Sequence, residues 1–158
     1  MSSRKVYRSC ALALAMVSFC AGALFAADFD ATKKAAEGGD VQAQIDLGEM
    51  YYSGKGVKRD YEQAVEWFRK AAEQGSADAQ NRMGNMYRRG RGVKRDDKQA
   101  VEWYRKAAEQ GYAWGQDNLG AMYYDGTGVQ KDTKQAVEWY RKAAEQGLAN
   151  AQNHLGVM

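Results

Sequence analysis

The sequence predicts an all-α solenoid, a stack of helix pairs repeating every 36 residues. Three observations carry this. First, AVEWFRKAAEQG at 64–75 returns with one change, as AVEWYRKAAEQG, at 100–111 and at 136–147. Second, apolar residues inside each unit recur at the spacing of a single helical face. Third, the chain of 158 residues, about one domain long, has no proline and 17 glycines, which suits helices joined by tight glycine turns.

Residues 1–26 are a different text and are expected to be a secretory signal peptide. Arg4, Lys5 and Arg8 form a positive start, and Ser9 to Ala27 carries no charge. Ala21-Gly22-Ala23 and Ala26-Ala27 are small-residue exits, so cleavage is expected after Ala23 or Ala26. An uncleaved anchor is the alternative, because the uncharged run approaches spanning length; the exits favour cleavage. Phe19, directly before Cys20, disfavours a lipoprotein. The cleaved protein is then periplasmic or secreted, with no stable membrane span. Both cysteines, Cys10 and Cys20, leave with the leader, taking with them any disulfide, thiol nucleophile or thiolate metal site. The leader holds three basic residues and no acid, so its loss turns 23 basic against 20 acidic residues into 20 against 20. That balance argues against nucleic acid as a partner.

After the leader, residues 27–42 match the end of a repeat and are expected to form an N-terminal helix. Repeat one fills 43–78, repeat two 79–114 and repeat three 115–150, and 151–158 begin an incomplete fourth. Each unit reads as helix A followed by helix B. In helix A of the first unit, Ala43, Leu47, Met50 and Tyr51 share a face; in helix B, Ala64, Trp67, Phe68, Ala71 and Ala72 do. Asp60, Asp96 and Asp132 stand as N-caps of helix B. Gln63, Gln99 and Gln135 lie three residues on, as in a capping box. Gly75, Gly111 and Gly147 close helix B in the left-handed conformation. Glu66 and Lys70 are spaced for an i, i+4 ion pair. Gly48, Gly84 and Gly120 interrupt helix A at a cost of about 1 kcal/mol each relative to alanine. A close approach by the bulky residues of helix B is the expected reason.

Leu47-Gly48-Glu49-Met50-Tyr51 has the L-G-x-x-Y core of the tetratricopeptide repeat. The 36-residue period, the G-x-G-V connection (Gly54 to Val57, Gly90 to Val93, Gly126 to Val129) and the A-x-x-W-[FY]-x-x-A-A-x-x-G that follows resemble the Sel-one-like repeat family. The resemblance covers residues 33–158. It implies a right-handed superhelix of antiparallel helix pairs that binds other proteins on its concave face. A cysteine-rich branch of that family is associated with beta-lactam binding and hydrolysis. The resemblance therefore implies a beta-lactam-binding or beta-lactamase-like hydrolase as the alternative.

Little in the residues supports chemistry. SGKGVK is no phosphate loop, since five residues rather than four separate Gly48 from Gly54 and glycine follows Lys55. Arg59 and Arg95 stand where a G-x-G-x-x-G would need its third glycine. Ser53 and Ser76 are the only serines after the leader, and neither opens an S-x-x-K. The single histidine, His154, has Asp46, Arg82 and Asn118 as its equivalents, which marks a tolerant position of helix A. No catalytic residue, cofactor or metal is expected.

Function is sought where the copies disagree, because scaffold positions must recur and binding positions need not. Trp67, Trp103 and Trp139 recur and read as core or inter-repeat contacts. Tyr52 becomes Arg88 and then Tyr124. The second unit gathers Arg88, Arg89, Arg91, Lys94 and Arg95, a basic cluster for an acidic partner or a solvated loop. Tyr112 and Trp114 stand at a junction where the other units have Ser76 and Asp78, or Leu148 and Asn150, and either anchor a partner or fill a gap between units. The expectation is an exported, non-catalytic scaffold that takes a peptide or protein on variable helix A and junction residues. The incomplete fourth unit predicts weak self-association through the C-terminal end.

Overall fold

The computed structural model describes residues 28–158, and the leader expected over 1–26 lies outside them. A first helix, α1, covers residues 28–37. The order continues as α2 (Val41–Ser53), α3 (Tyr61–Glu73), α4 (Ala77–Arg89), α5 (Asp97–Glu109), α6 (Ala113–Asp125), α7 (Thr133–Glu145) and α8 (Ala149–Val157). No strand occurs among the described residues. A helices α2, α4, α6 and α8 alternate with B helices α3, α5 and α7, and α1 takes the B place before the first A helix. From α2 onward each helix packs against its neighbours in sequence, and α4 also touches α6 across α5. The fold is the all-α repeat solenoid that the periodicity predicts. The A helices begin two residues ahead of the unit boundaries drawn from the sequence.

No unit closes its own core. One cluster joins Ile45 of α2 to Val65 and Phe68 of α3 and to Met83 and Met86 of α4. The next joins Tyr104 and Ala108 of α5 to Leu119 and Met122 of α6. Ala36, Ala43, Leu47 and Trp67 form a third. Burying one such large side chain stabilises by about 1.5–3 kcal/mol, so each unit draws a large part of its stability from the next. The tryptophans are the inter-repeat contacts expected: Trp103 packs on the first cluster and Trp139 on the second.

Each B helix starts and stops by local chemistry. Asp60 accepts from the backbone N–H groups of Glu62 and Gln63, and Asp96 and Asp132 do the same in their units. The reciprocal half of the capping box is not made. Gln63 instead donates to Glu66 (3.3 Å) and Gln99 to Glu102 (3.1 Å), one turn further on. The expected Glu66–Lys70 ion pair gives way too, because the Lys70 ammonium lies 3.7 Å above the Trp67 ring. The indole face holds the cation where an exposed carboxylate offers only a few tenths of a kcal/mol. At the far end the last helical residue is Glu73, two before the expected glycine, and Gln74 is the C-cap. Gly75 follows at φ +93° and donates to Ala72, while Ser76 donates to Ala71. This paired closure recurs at Gly111 and Gly147.

Candidate partner-binding face

The A helices carry a notch in every complete unit. A methyl group placed on Gly48 would lie 2.6 Å from the Phe68 ring, on Gly84 2.5 Å from Tyr104, and on Gly120 2.9 Å from Tyr140. The glycines exist because the B-helix aromatic, and not its tryptophan, lies against the A helix there. Between α2 and α4 the Phe68 ring lines a cleft, and between α6 and α8 the Tyr140 ring does.

The cleft between α2 and α4 encloses about 240 Å³ over Phe68, with Glu49, Tyr52, Arg82, Asn85 and Arg89 on its walls. Arg82 is held across the cleft: Nε bonds Asp78 at 3.1 Å, and the guanidinium also pairs with Glu49. Those two carboxylates raise its pKa, although burial, the largest influence, opposes them. The cleft between α6 and α8 encloses about 310 Å³ over Tyr140, with Ala121, Tyr124, Asp125, His154, Val157 and Met158 around it. Between the two, Asn118 donates to Asn81 at 2.8 Å, and the buried hydroxyl of Tyr104 donates to Asn85 at 3.0 Å. Burial pushes the Tyr104 phenol up to about 12, and the positive charges of Arg88 and Arg89 oppose that rise.

The five basic residues of unit two do not form one patch. Arg91 is bonded to the Tyr52 hydroxyl, and its guanidinium carbon lies 5.3 Å from the Tyr52 ring centre and 5.5 Å from that of Tyr61. It therefore joins unit two to unit one. Arg95 pairs with Asp97 at 2.9 Å. Lys94 and Arg95 line a separate depression beside Asp96, Asp97 and Lys98. Arg88 and Arg89, at the C-terminal end of α4, form no ion pair among the described residues, and Arg89 opens into the first cleft.

The two junction aromatics separate as well. Tyr112 stands at the N-cap of α6, where it supplies no side-chain cap, and its hydroxyl instead donates to Asp78 of the preceding unit at 3.0 Å. Burial, together with Asp78, pushes that phenol up to about 12. Trp114 remains 45% exposed. Tyr124, 43% exposed, lies under the Lys131 ammonium at 5.2 Å and lines the second cleft.

His154 has a more defined setting than a tolerant surface position. Its Nδ1 lies 2.9 Å from the buried Asp117 carboxylate, and its ring centre lies 4.7 Å from that of Tyr140. Sequence reading missed this because the pairing partner belongs to the preceding unit. It also missed a relay of glutamines. Gln80 donates to the Ala72 carbonyl (3.2 Å), and its Oε1 accepts from Gln110 at 2.7 Å. Gln44 with Gln74 and Gln116 with Gln146 repeat it. A signal was present, since glutamine stands at all these positions.

Neither serine is placed as a nucleophile. Ser53 Oγ donates to the Glu49 carbonyl (2.8 Å), and Ser76 caps α4. Among the described residues no three metal-ligating side chains converge, and no helix is long and apolar enough to cross a membrane.

A family model described as "Sel1 repeat" matches residues 41–76, 77–112 and 115–148. No curated protein matches the chain. Among solved structures, the chain is similar to c5321, a protective antigen of uropathogenic Escherichia coli strains with an SLR fold. The two share 48% identity at a TM-score of 0.80, over 82% of this chain and 28% of the antigen. It is also similar to a Sel1 repeat protein from Oxalobacter formigenes, with 42% identity and a TM-score of 0.79 over 84% of this chain and 54% of that one. Helicobacter pylori cysteine rich protein B shares 30% identity at a TM-score of 0.65, over 80% of this chain and 96% of that protein. The chain thus spans about a quarter and about half the length of the first two.

Proposed function

Because the chain belongs to the Sel1 repeat family, whose members are generally protein-interaction scaffolds, we propose that it is an exported scaffold that takes a peptide or protein segment along its A-helix face. One observation carries the reading. The glycine notch recurs in every complete unit, with clefts between α2 and α4 and between α6 and α8, but the A-helix positions beside it vary: Glu49 becomes Asn85 and Ala121, Tyr52 becomes Arg88 and Tyr124, and Arg82 becomes Asn118 and His154. A constant notch with variable surroundings suits selective recognition better than a fixed chemistry. The leader supplies the export route.

At the first cleft the segment is acidic. Arg89 opens into that cleft without an ion-pair partner among the described residues, and its neighbour Arg88 has none either, whereas Arg82, Arg91 and Arg95 are engaged within the protein. Paired charges of this kind set register and on-rate more than raw affinity.

Photo-reactive side chains test the face. Placed at Arg89 or Tyr124 they should capture the partner in the native envelope. Placed at Glu102 or Glu138, exposed on B helices, they should not. Equal capture from both sides would sink the reading.

A further inference from the structure

Units two and three repeat one tyrosine environment with one difference. In unit two, Tyr104 is fully buried and its hydroxyl donates to the side-chain carbonyl of Asn85 at 3.0 Å. In unit three, Tyr140 holds the same place, 3% exposed, over the corresponding glycine notch. Position 121 there is alanine, where unit two has Asn85. The Tyr140 hydroxyl bonds no other described residue and is open to solvent, since no enclosed side-chain polar atom there lacks a partner, and the residue lines the cleft between α6 and α8. Exchanging water for a partner's acceptor gains such a phenol about 1 kcal/mol net.

His154 supplies the second group. The Asp117 carboxylate only accepts, so Nδ1 carries the proton of their 2.9 Å contact. In the neutral ring this leaves Nε2 as an acceptor. The cleft therefore offers a donor from Tyr140 and acceptors from His154 and the Asp125 carboxylate, with Ala121, Val157 and Met158 as apolar walls. A primary amide carries the complementary pair, a carbonyl and an N–H₂ on one carbon.

We propose that the cleft between α6 and α8 is a subsite for the carboxamide side chain of a glutamine or asparagine in a partner segment. The partner's carbonyl takes the place that Asn85 fills beside Tyr104, and its N–H₂ donates to His154. A carboxylate supplies the acceptor but no donor, and an ammonium the donor but no acceptor. The subsite rests on the reading of the A-helix face as the partner surface and gives it one specific requirement.

The chain has a single histidine, so the His154 imidazole resonances report on the cleft without ambiguity. The probes are capped tripeptides, acetyl-Gly-Gln-Gly-amide and its Glu, Lys and Met counterparts, titrated to about 10 mM. The glutamine peptide should move the His154 signals saturably. Two variants borrow residues that other units already carry, so the fold accommodates them: Tyr140→Phe matches Phe68, and Ala121→Asn matches Asn85. Each should weaken glutamine-peptide binding roughly three- to tenfold, the first by removing the donor and the second by occupying it. Absence of a saturable shift, an equal response to the Glu, Lys or Met peptide, or unchanged binding in both variants would overturn the subsite. Partner capture at Arg89 that survives such a result would leave the scaffold reading standing and remove the subsite alone.

Discussion

Gly84 and Gly156 occupy the same turn of the A helix two units apart, yet a methyl group would find different surroundings at each. At Gly84 it would press into the fully buried Tyr104 ring at 2.5 Å; at Gly156 nothing lies within 4 Å. Overpacking costs about 1–3 kcal/mol, and the helix regains about 1 kcal/mol from replacing glycine. Gly84→Ala should therefore lower stability by up to about 2 kcal/mol, while Gly156→Ala should leave it level or raise it slightly; urea titration separates the two. Three phenols give a second expectation. Tyr104, Tyr112 and Tyr140 are each pushed up to about 12, burial being the first cause in all three. The folded state then holds protons that the unfolded chain releases near pH 10. Stability is intact below that value and should fall as the pH rises from about 10 to about 12. Tyr104→Phe should flatten this fall and cost about 1 kcal/mol at neutral pH, where only the Asn85 bond is lost. The glycine interruptions were legible in the sequence as an anomaly with a packing cause. Which aromatic caused them was not, because Trp67 and Phe68 are adjacent and spacing alone does not rank them.

Helix ends were the most legible elements. Asp96 and Gly111 mark the limits of α5 in the text, and the structure puts the cap and the left-handed residue there. Asp96→Ala should destabilise by about 1 kcal/mol with little change in the thermal transition's breadth, as calorimetry can measure. What the text did not give is where the side chains inside a helix turn for partners. Spacing offered Gln63 a place in a capping box and Lys70 a partner in Glu66. In the structure Gln63 bonds Glu66, and Lys70 sits on an indole. Several acceptors lie within reach of one flexible side chain, and sequence spacing is blind to the face of a neighbouring ring. At the N-terminus of α6 the usual small cap is replaced by Tyr112, which exchanges a local bond for one to the preceding unit.

Across the molecule, contacts between units decide which basic residues are free. A variant reversing Arg88, Arg89 and Arg91 together would mix two effects. Arg91→Glu alone should lower stability by about 1–2 kcal/mol, because it removes the guanidinium from Tyr52 and Tyr61 and brings an acid to the same place. Arg88→Glu with Arg89→Glu should leave the circular dichroism melt unchanged and abolish capture of an acidic partner; retained capture would count against the first cleft. The cluster was readable as composition, but its division depended on pairs such as Tyr52 and Arg91, 39 positions apart. Local chemistry writes itself into spacing, while contacts between units are written only in the fold. The glutamine relay bears on how such a chain changes over generations. Each unit satisfies the end of the unit before it with the same side chain at the same depth. A recombination event that inserts or deletes 36 codons' worth of chain therefore rejoins matching surfaces. Length can vary by whole units without a new interface being invented, and each added copy brings one more notch whose surroundings are free to mutate.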